Sequence, residues 1–453
     1  SLLGYAKFFF NPNFFIRLSF NVRYCIFIRL NRKQRKELNK LIGDLKAAVR
    51  TKDDLLNYDI NGITIGEDIY ESYLKLGNPT ISFSDCKFWR TVSEAFTHYL
   101  FWREFFHDHN ITAVVISHDC YILSNVPARI AYKYQIPVYL PSPRSLARSE
   151  HSHSLYRKRF LGYKSEFLKL PRHKQESELV IAKSRLYRRL NGEVGVDMPY
   201  STATAFASSY KKERVLALNQ KPKVVIYTHC FYDNPHAYGG MIFTDFLEWL
   251  NFLGDISSNT EFDWYIKCHP DALLGTSRVI QDFVNRYPHI KLLPNSTSTH
   301  QLVSDGLTVA LTCYGTIGHE LPLLGVRVIN AGFNPHISYT FNTHPMTKYE
   351  YARHIYAISE TQPTAFDFSD IYAFYYMHYS HYYIDSLIFD SYNKSIEFTK
   401  KTGHASSIYQ YYLDSFNRKK HLQAINVISK YLESESLFLD ITMYEQFLAA
   451  STG

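Results

Sequence analysis

The chain has 453 residues, 46% hydrophobic and 16% aromatic, with 50 Lys and Arg against 42 Asp and Glu for a formal net charge of +8. That length exceeds what one hydrophobic core ordinarily organises, so two domains are expected, and the apolar content excludes a disordered chain. The basic residues are dispersed and form no nucleic-acid reader motif, so the charge points to other anionic partners: sugar nucleotides, acidic glycans or a phospholipid surface.

Residues 5–30 are rich in Phe, Tyr and Ile, but Lys7, Arg17, Arg23 and Arg29 interrupt them. No uncharged run reaches the ~20 residues that cross a bilayer. They read as a first helix or strand packed on the N-terminal domain, with a basic-aromatic face on the inner membrane leaflet as the functional alternative. Six cysteines without CxxC spacing suit a reduced, cytosolic protein. Residues 31–50 read as a charged helix, 61–66 as a turn and short strand, 67–74 as a helix and 89–109 as a long aromatic helix. A βαβ unit follows, with strand 111–117, a helix carrying 127–133 and strand 136–140. The stretch 142–220 is basic and polar, mostly helix and loop. A fresh apolar strand then opens at Val224. From there strands 224–228, 264–267, 290–293, 307–311 and 326–329 alternate with helices, the pattern of a doubly wound parallel sheet that binds ligands at the carboxyl ends of its strands. Residues 346–453 read as Tyr- and His-rich helices. The resulting division is 1–220, 221–345 and a helical tail, 346–453, that packs back across the others.

The chemistry-bearing residues gather at strand ends. His118 and Asp119 end the 111–117 strand, and either can take a proton from a hydroxyl. Tyr121 and Arg129 nearby can orient an acceptor. His229, Asp233 and His236 crowd the end of the Val224 strand and can grip a donor sugar or its leaving phosphate. Lys267, His269 and Pro270 end the next strand, where a histidine can donate to a phosphate. In the turn Thr312-Cys-Tyr314-Gly315-Thr316, Thr316 can cap a helix while neighbouring amides cradle an anion. His319 and Glu320 lie one turn further on, with Glu320 able to accept from ribose hydroxyls or to complement the helix dipole. Cys230, Cys268 and Cys313 stand at three neighbouring strand ends and make a metal site a minor rival. The expectation is no metal.

These motifs, 61–70, Ser117-His118 with Tyr121 and 129–131, 229–236, Lys267-Cys-His-Pro270 and 315–332, resemble bacterial capsule and surface-polysaccharide biosynthesis proteins. They are similar to the GT-B glycosyltransferases that include β-Kdo transferases and the HP-motif sialyltransferases. The resemblance runs discontinuously from about residue 60 to 345. It implies two Rossmann-like lobes with a deep cleft, and transfer of a sugar to an oligosaccharide or glycolipid acceptor at the cytoplasmic face. The implied donor is a nucleotide sugar, favouring a CMP-activated ulosonic acid, with no further cofactor. In CMP-sugar relatives an HP motif and a Ser/Thr turn hold the CMP phosphate, and His269 and Thr316 stand at those places. The family's carboxylate base would correspond to Asp119, although His118 fits the pattern better. A UDP- or GDP-sugar transferase or epimerase, and a non-catalytic glycan-binding assembly protein, are the alternatives.

Overall fold

Between residues 223 and 330 the chain holds five short runs that are apolar at nearly every position, which suits strands covered on both faces. The computed structural model describes residues 27–149, 155–198, 201–206, 213–269, 275–361, 365–403 and 407–450, without side chains at 155–158. Its first strands are β1 (Asp59–Ile60) and β2 (Ile63–Thr64), an antiparallel hairpin turned by Asn61 and Gly62 at φ 53° and 81°. Next come β3 (Val114–Val115), β4 (Val138–Ser142) and β5 (Ser145–Ser149), then β6 (Lys223–Tyr227), β7 (Asp263–Lys267), β8 (Lys291–Leu292), β9 (Val309–Thr312) and β10 (Arg327–Asn330).

The last five strands form one parallel sheet in the order β10-β9-β6-β7-β8. The chain winds outward from β6 to β8, then returns to β9 on the other side of β6. That reversal makes a topological switch point between β6 and β9, where the loops leaving the two strands part and open a crevice. Alternate side chains feed two cores. Val224, Ile226, Trp264, Ile266, Val309 and Leu311 pack with the helices Phe246–Ser257 and Thr276–Arg286. Val225, Tyr227, Tyr265, Ala310 and Val328 pack with Leu302 and Leu321 on the other face. The strand period of two therefore buries both sides of the sheet.

The N-terminal sheet is smaller than expected. β3 pairs parallel with β4, and β4 turns tightly into antiparallel β5, giving three strands of mixed direction among the described residues. A second Rossmann-like lobe, with its run of parallel strands, is not what these residues form. Only two residues of the expected 111–117 strand pair with β4, and the polar sequence of β5 hid it among the helices and loops expected over 142–220. The core beneath is helical: Phe88, Phe96 and Leu100 of helix Cys86–Asp108 meet Ile122, Val126 and Ile130 of helix Ile122–Lys133.

The helices Leu155–Lys169 and Arg172–Leu190 pack chiefly against the C-terminal region. Phe160, Tyr163, Leu186 and their neighbours share a core with Phe374, Tyr376 and Tyr382 of the C-terminal region. The chain end also covers the edge of β5. Arg148 N–H donates to Leu437 O at 2.8 Å, and Leu439 N–H to Leu146 O at 3.0 Å, which removes an exposed strand edge.

One carboxylate ties the N-terminal helices to the large sheet. Asp245, fully buried, caps helix Phe246–Ser257 by accepting from Glu248 N–H at 2.8 Å. Its other oxygen accepts from Lys52 Nζ at 2.8 Å, Tyr70 OH at 2.5 Å and Thr80 Oγ1 at 2.6 Å. Asp245→Ala strips the cap and leaves two hydroxyls and an ammonium without their acceptor. The expected loss is about 3 kcal/mol, read as a lower urea midpoint; a midpoint within experimental error of the wild type would show that the tie is dispensable.

Candidate functional site

The crevice at the switch point widens into a cavity of about 680 Å³. Its floor is the carboxyl end of β6, β7 and β9. Its far wall is the end of helix Arg172–Leu190 with the segments 193–198 and 201–206. Of the residues singled out in the sequence, His229, Asp233, Lys267, His269, Thr312, Tyr314, Gly315, Thr316 and Glu320 line it. Pro270 lies outside the described residues.

His229 is the fixed point. Its Nε2 lies 2.9 Å from Thr312 Oγ1 and also takes the amide N–H groups of Cys313 at 3.1 Å and Tyr314 at 3.4 Å. Thr312 Oγ1 in turn accepts Gly315 N–H at 3.2 Å, so its own proton goes to the imidazole. An atom that receives three donors is an acceptor, and Nδ1 therefore carries the ring proton. No described residue bonds to Nδ1, which is left to donate toward the cavity. The ring is stacked on Phe246 at 4.8 Å. Burial, with His269 adding to it, pushes the imidazole down to about 3, so it stays neutral.

The same bonds correct the expected amide cradle. The N–H groups of Cys313, Tyr314 and Gly315 turn inward to His229 and Thr312 and are spent on holding the loop. Thr316 makes no capping bond, and its own backbone is already helical. Its hydroxyl donates instead to Glu320 Oε2 at 3.3 Å. Gly315 is required for close approach, because a Cβ there would stand 2.8 Å from Thr312 Oγ1. Tyr314 seals the loop by donating its phenol to Asn234 O at 2.9 Å.

The charges divide into paired and unpaired. Glu320, 2% exposed, holds Arg189 at 2.5 Å, and Arg189 also donates to Val196 O at 2.9 Å. Glu193 is held by Arg188. Lys267, 3% exposed, makes one bond, to Thr297 O at 2.6 Å, and among the described residues no carboxylate pairs with it. Burial pushes its ammonium down to about 8. Burying a cation away from a counter-charge is costly, and among the described residues only the Thr297 carbonyl offsets that cost here. Asp233 is the converse case. It is exposed, accepts Asn234 N–H at 2.9 Å and Tyr121 OH at 3.3 Å on Oδ1, and has no cation among the described residues. An unpaired carboxylate repels phosphate, so its expected grip on a leaving phosphate does not hold.

Five of the expected residues lie off the cavity. His118 is exposed and bonds to Ser117 Oγ at 3.0 Å, and Asp119 is half-buried beside it with its carboxyl raised by burial. The loop after β3 carries Tyr121, not these two, to Asp233. His236 is turned into the contact between halves, 3.3 Å from Glu71 Oε1 and 3.1 Å from Thr244 O. His319 is buried against His336 at 3.0 Å and against Phe374, because residue 319 faces away from the sheet edge on its short helix. Arg129, offered as an acceptor-orienting group, is a buried structural cation bound to Asp68 at 2.5 Å, with Asn125 on the same carboxylate. Among the described residues no group of three His, Cys, Asp or Glu is placed to hold a metal ion.

Nothing in the residue pattern announced Arg189 or the wall of 193–198 and 201–206, which come from the stretch read as helix and loop. Tyr121 also has a feature no pattern could reveal. Its backbone sits at φ 65°, ψ 151°, a region essentially reserved for glycine, at a cost of about 1–3 kcal/mol.

Gly315→Ala is expected to push the Thr312 hydroxyl off His229 and to cost about 1–3 kcal/mol of stability. In the wild type, ¹⁵N imidazole shifts of His229 should report the neutral Nδ1–H form throughout about pH 5–8; an imidazolium signal in that range would overturn the tautomer assignment. No protein-family profile matches the chain, and no curated protein matches it. Among solved structures, KpsC of Thermosulfurimonas dismutans, a β-Kdo 2,7 transferase, is similar at 12% identity over 53% of this chain and 68% of that chain, with a TM-score of 0.31. The β-Kdo 2,4 transferase KpsC of the same organism is similar at 11% identity over 60% of this chain and 92% of that one, with a TM-score of 0.35.

Proposed function

We propose that the cavity binds a nucleotide sugar and that the chain is a glycosyltransferase of bacterial surface-polysaccharide assembly. The observation that supports the binding half is the buried Lys267 ammonium, without a carboxylate partner among the described residues, on a cavity at the switch point of a parallel sheet. A negative group seated there would meet Lys267, the Nδ1–H of His229 and the exposed His269. When the bond between sugar and phosphate breaks, the electron pair goes to the phosphate, and a fixed cation and donor stabilise the charge that develops. The donors are rigid: His229 is locked by three bonds, and Lys267 by the Thr297 carbonyl. Little reorganisation is then needed as the charge forms.

A CMP-activated donor such as a Kdo or sialic-acid-like sugar fits best, because one phosphate matches one unpaired ammonium. The acceptor, a glycan or glycolipid, approaches from the side of Tyr121 and the N-terminal helices, and closure of the crevice keeps water from the donor. On this reading the protein works at the cytoplasmic face of the membrane. A UDP- or GDP-sugar enzyme is the second reading, and the two separate by ligand.

CMP, UDP and GDP are each added at millimolar concentration and the melting temperature recorded. The expected outcome is a rise of several degrees with CMP alone. Lys267→Met should abolish that rise while melting near the wild-type temperature. The pH dependence has a definite sign. The anion binds the protonated lysine, so affinity holds below about pH 8 and weakens above it, by at most about tenfold per unit. A rise with none of the three would remove the nucleotide reading, and a rise with UDP or GDP would move the donor class.

A further inference from the structure

The carboxylates on the cavity separate by their partners. Glu320 is neutralised by Arg189 and Glu193 by Arg188. Asp233 alone lines the cavity without a cation among the described residues, and its Oδ2 accepts nothing from them. Among the described residues its one long-range partner is the phenol of Tyr121, which reaches it from the N-terminal region.

Tyr121 is held there against its backbone preference. Ile122 N–H beside it donates to Ser72 Oγ at 3.0 Å, Asn125 N–H donates to the Tyr121 carbonyl at 2.9 Å, and the Lys75 ammonium sits 4.0 Å above the ring. A non-glycine residue kept in such a conformation by three separate contacts marks a position where placement matters more than local comfort. What it places is the phenol on Asp233.

We propose that Asp233 is the general base of the transfer, with Tyr121 its positioning residue. The assignment rests on the nucleotide-sugar reading above. Asp233 Oδ2 takes the proton of the acceptor hydroxyl. The acceptor oxygen bonds to the anomeric carbon as the bond from that carbon to the phosphate oxygen breaks, and the electron pair leaves with the nucleotide, toward Lys267 and His229. Asp233 then releases its proton to solvent. Base and leaving-group cation sit on one cavity without being paired to each other, as a displacement with its two ends separated requires. Tyr121 donates only to Oδ1, which fixes the carboxylate plane and leaves Oδ2 to work.

The test uses the full chain with CMP-N-acetylneuraminic acid, UDP-glucose and GDP-mannose as donors and water as acceptor, reading release of nucleotide. Asp233→Asn should cut the rate by about 10²–10⁴-fold while leaving the melting temperature and the nucleotide-induced rise unchanged. Tyr121→Phe, which keeps the backbone, should lower kcat about tenfold with donor KM within about twofold, because positioning rather than binding is lost. Asp233→Asn turning over within about threefold of wild type overturns the base assignment and leaves the nucleotide site standing. So does a wild type that binds a nucleotide and cleaves none of the donors. A wild type whose melting is unmoved by CMP, UDP and GDP removes the underlying reading, and the base with it.

Discussion

His229 is held on Nε2 by Thr312 and by the amides of Cys313 and Tyr314, and the rest of the site depends on that clamp. It joins the loops leaving β6 and β9, the two strands between which the winding of the sheet reverses. Without it those loops would be free to part, and the cavity floor would lose its shape. The bonds also fix the tautomer, since an acceptor nitrogen with three donors forces the proton onto the other ring atom. One local arrangement thus sets both the geometry and the polarity of the floor.

Around that point the molecule separates groups that hold structure from groups that remain available. Arg129 with Asp68, Arg189 with Glu320 and Asp245 with its four donors are buried and satisfied. They set the walls and the relation between the halves. Lys267 and Asp233 face the same cavity without counter-charges among the described residues. Burying an ammonium against a carbonyl, with no carboxylate beside it among the described residues, has an energetic cost, and its position on the cavity is the physical basis of the proposed anion site.

The contact between the N-terminal helices and the large sheet is polar. Asp245, the His236–Glu71 pair and the Tyr121–Asp233 bond carry it. Polar contacts of this kind fix direction more than they add affinity, which suits two parts that must meet in one orientation around a ligand. Burial raises the Glu71 carboxyl to about 7, while the bond to Glu71 raises His236 against the lowering effect of its own burial.

The sequence by itself determined the large sheet. Val224–Tyr227, Trp264–Ile266 and Val309–Leu311 are apolar or aromatic at consecutive positions, as suits a strand covered on both faces. Their polar ends singled out His229, Lys267, His269 and Thr312, and these residues line the cavity because carboxyl strand ends in a parallel sheet converge. The N-terminal sheet was less legible, since β5 (Ser-Leu-Ala-Arg-Ser) has too few apolar residues to declare itself, and its edge is paired by a chain segment almost three hundred residues away. Which polar groups are spent and which are free was decided only by the tertiary structure. Glu320 and Asp233 look alike as letters. The difference is that Arg189 arrives from a distant helix to neutralise one, while only a phenol arrives at the other. Adjacent residues likewise part company: His319 turns into an aromatic core while Glu320 lines the cavity, because the direction of a side chain on a short helix is set by what packs around it.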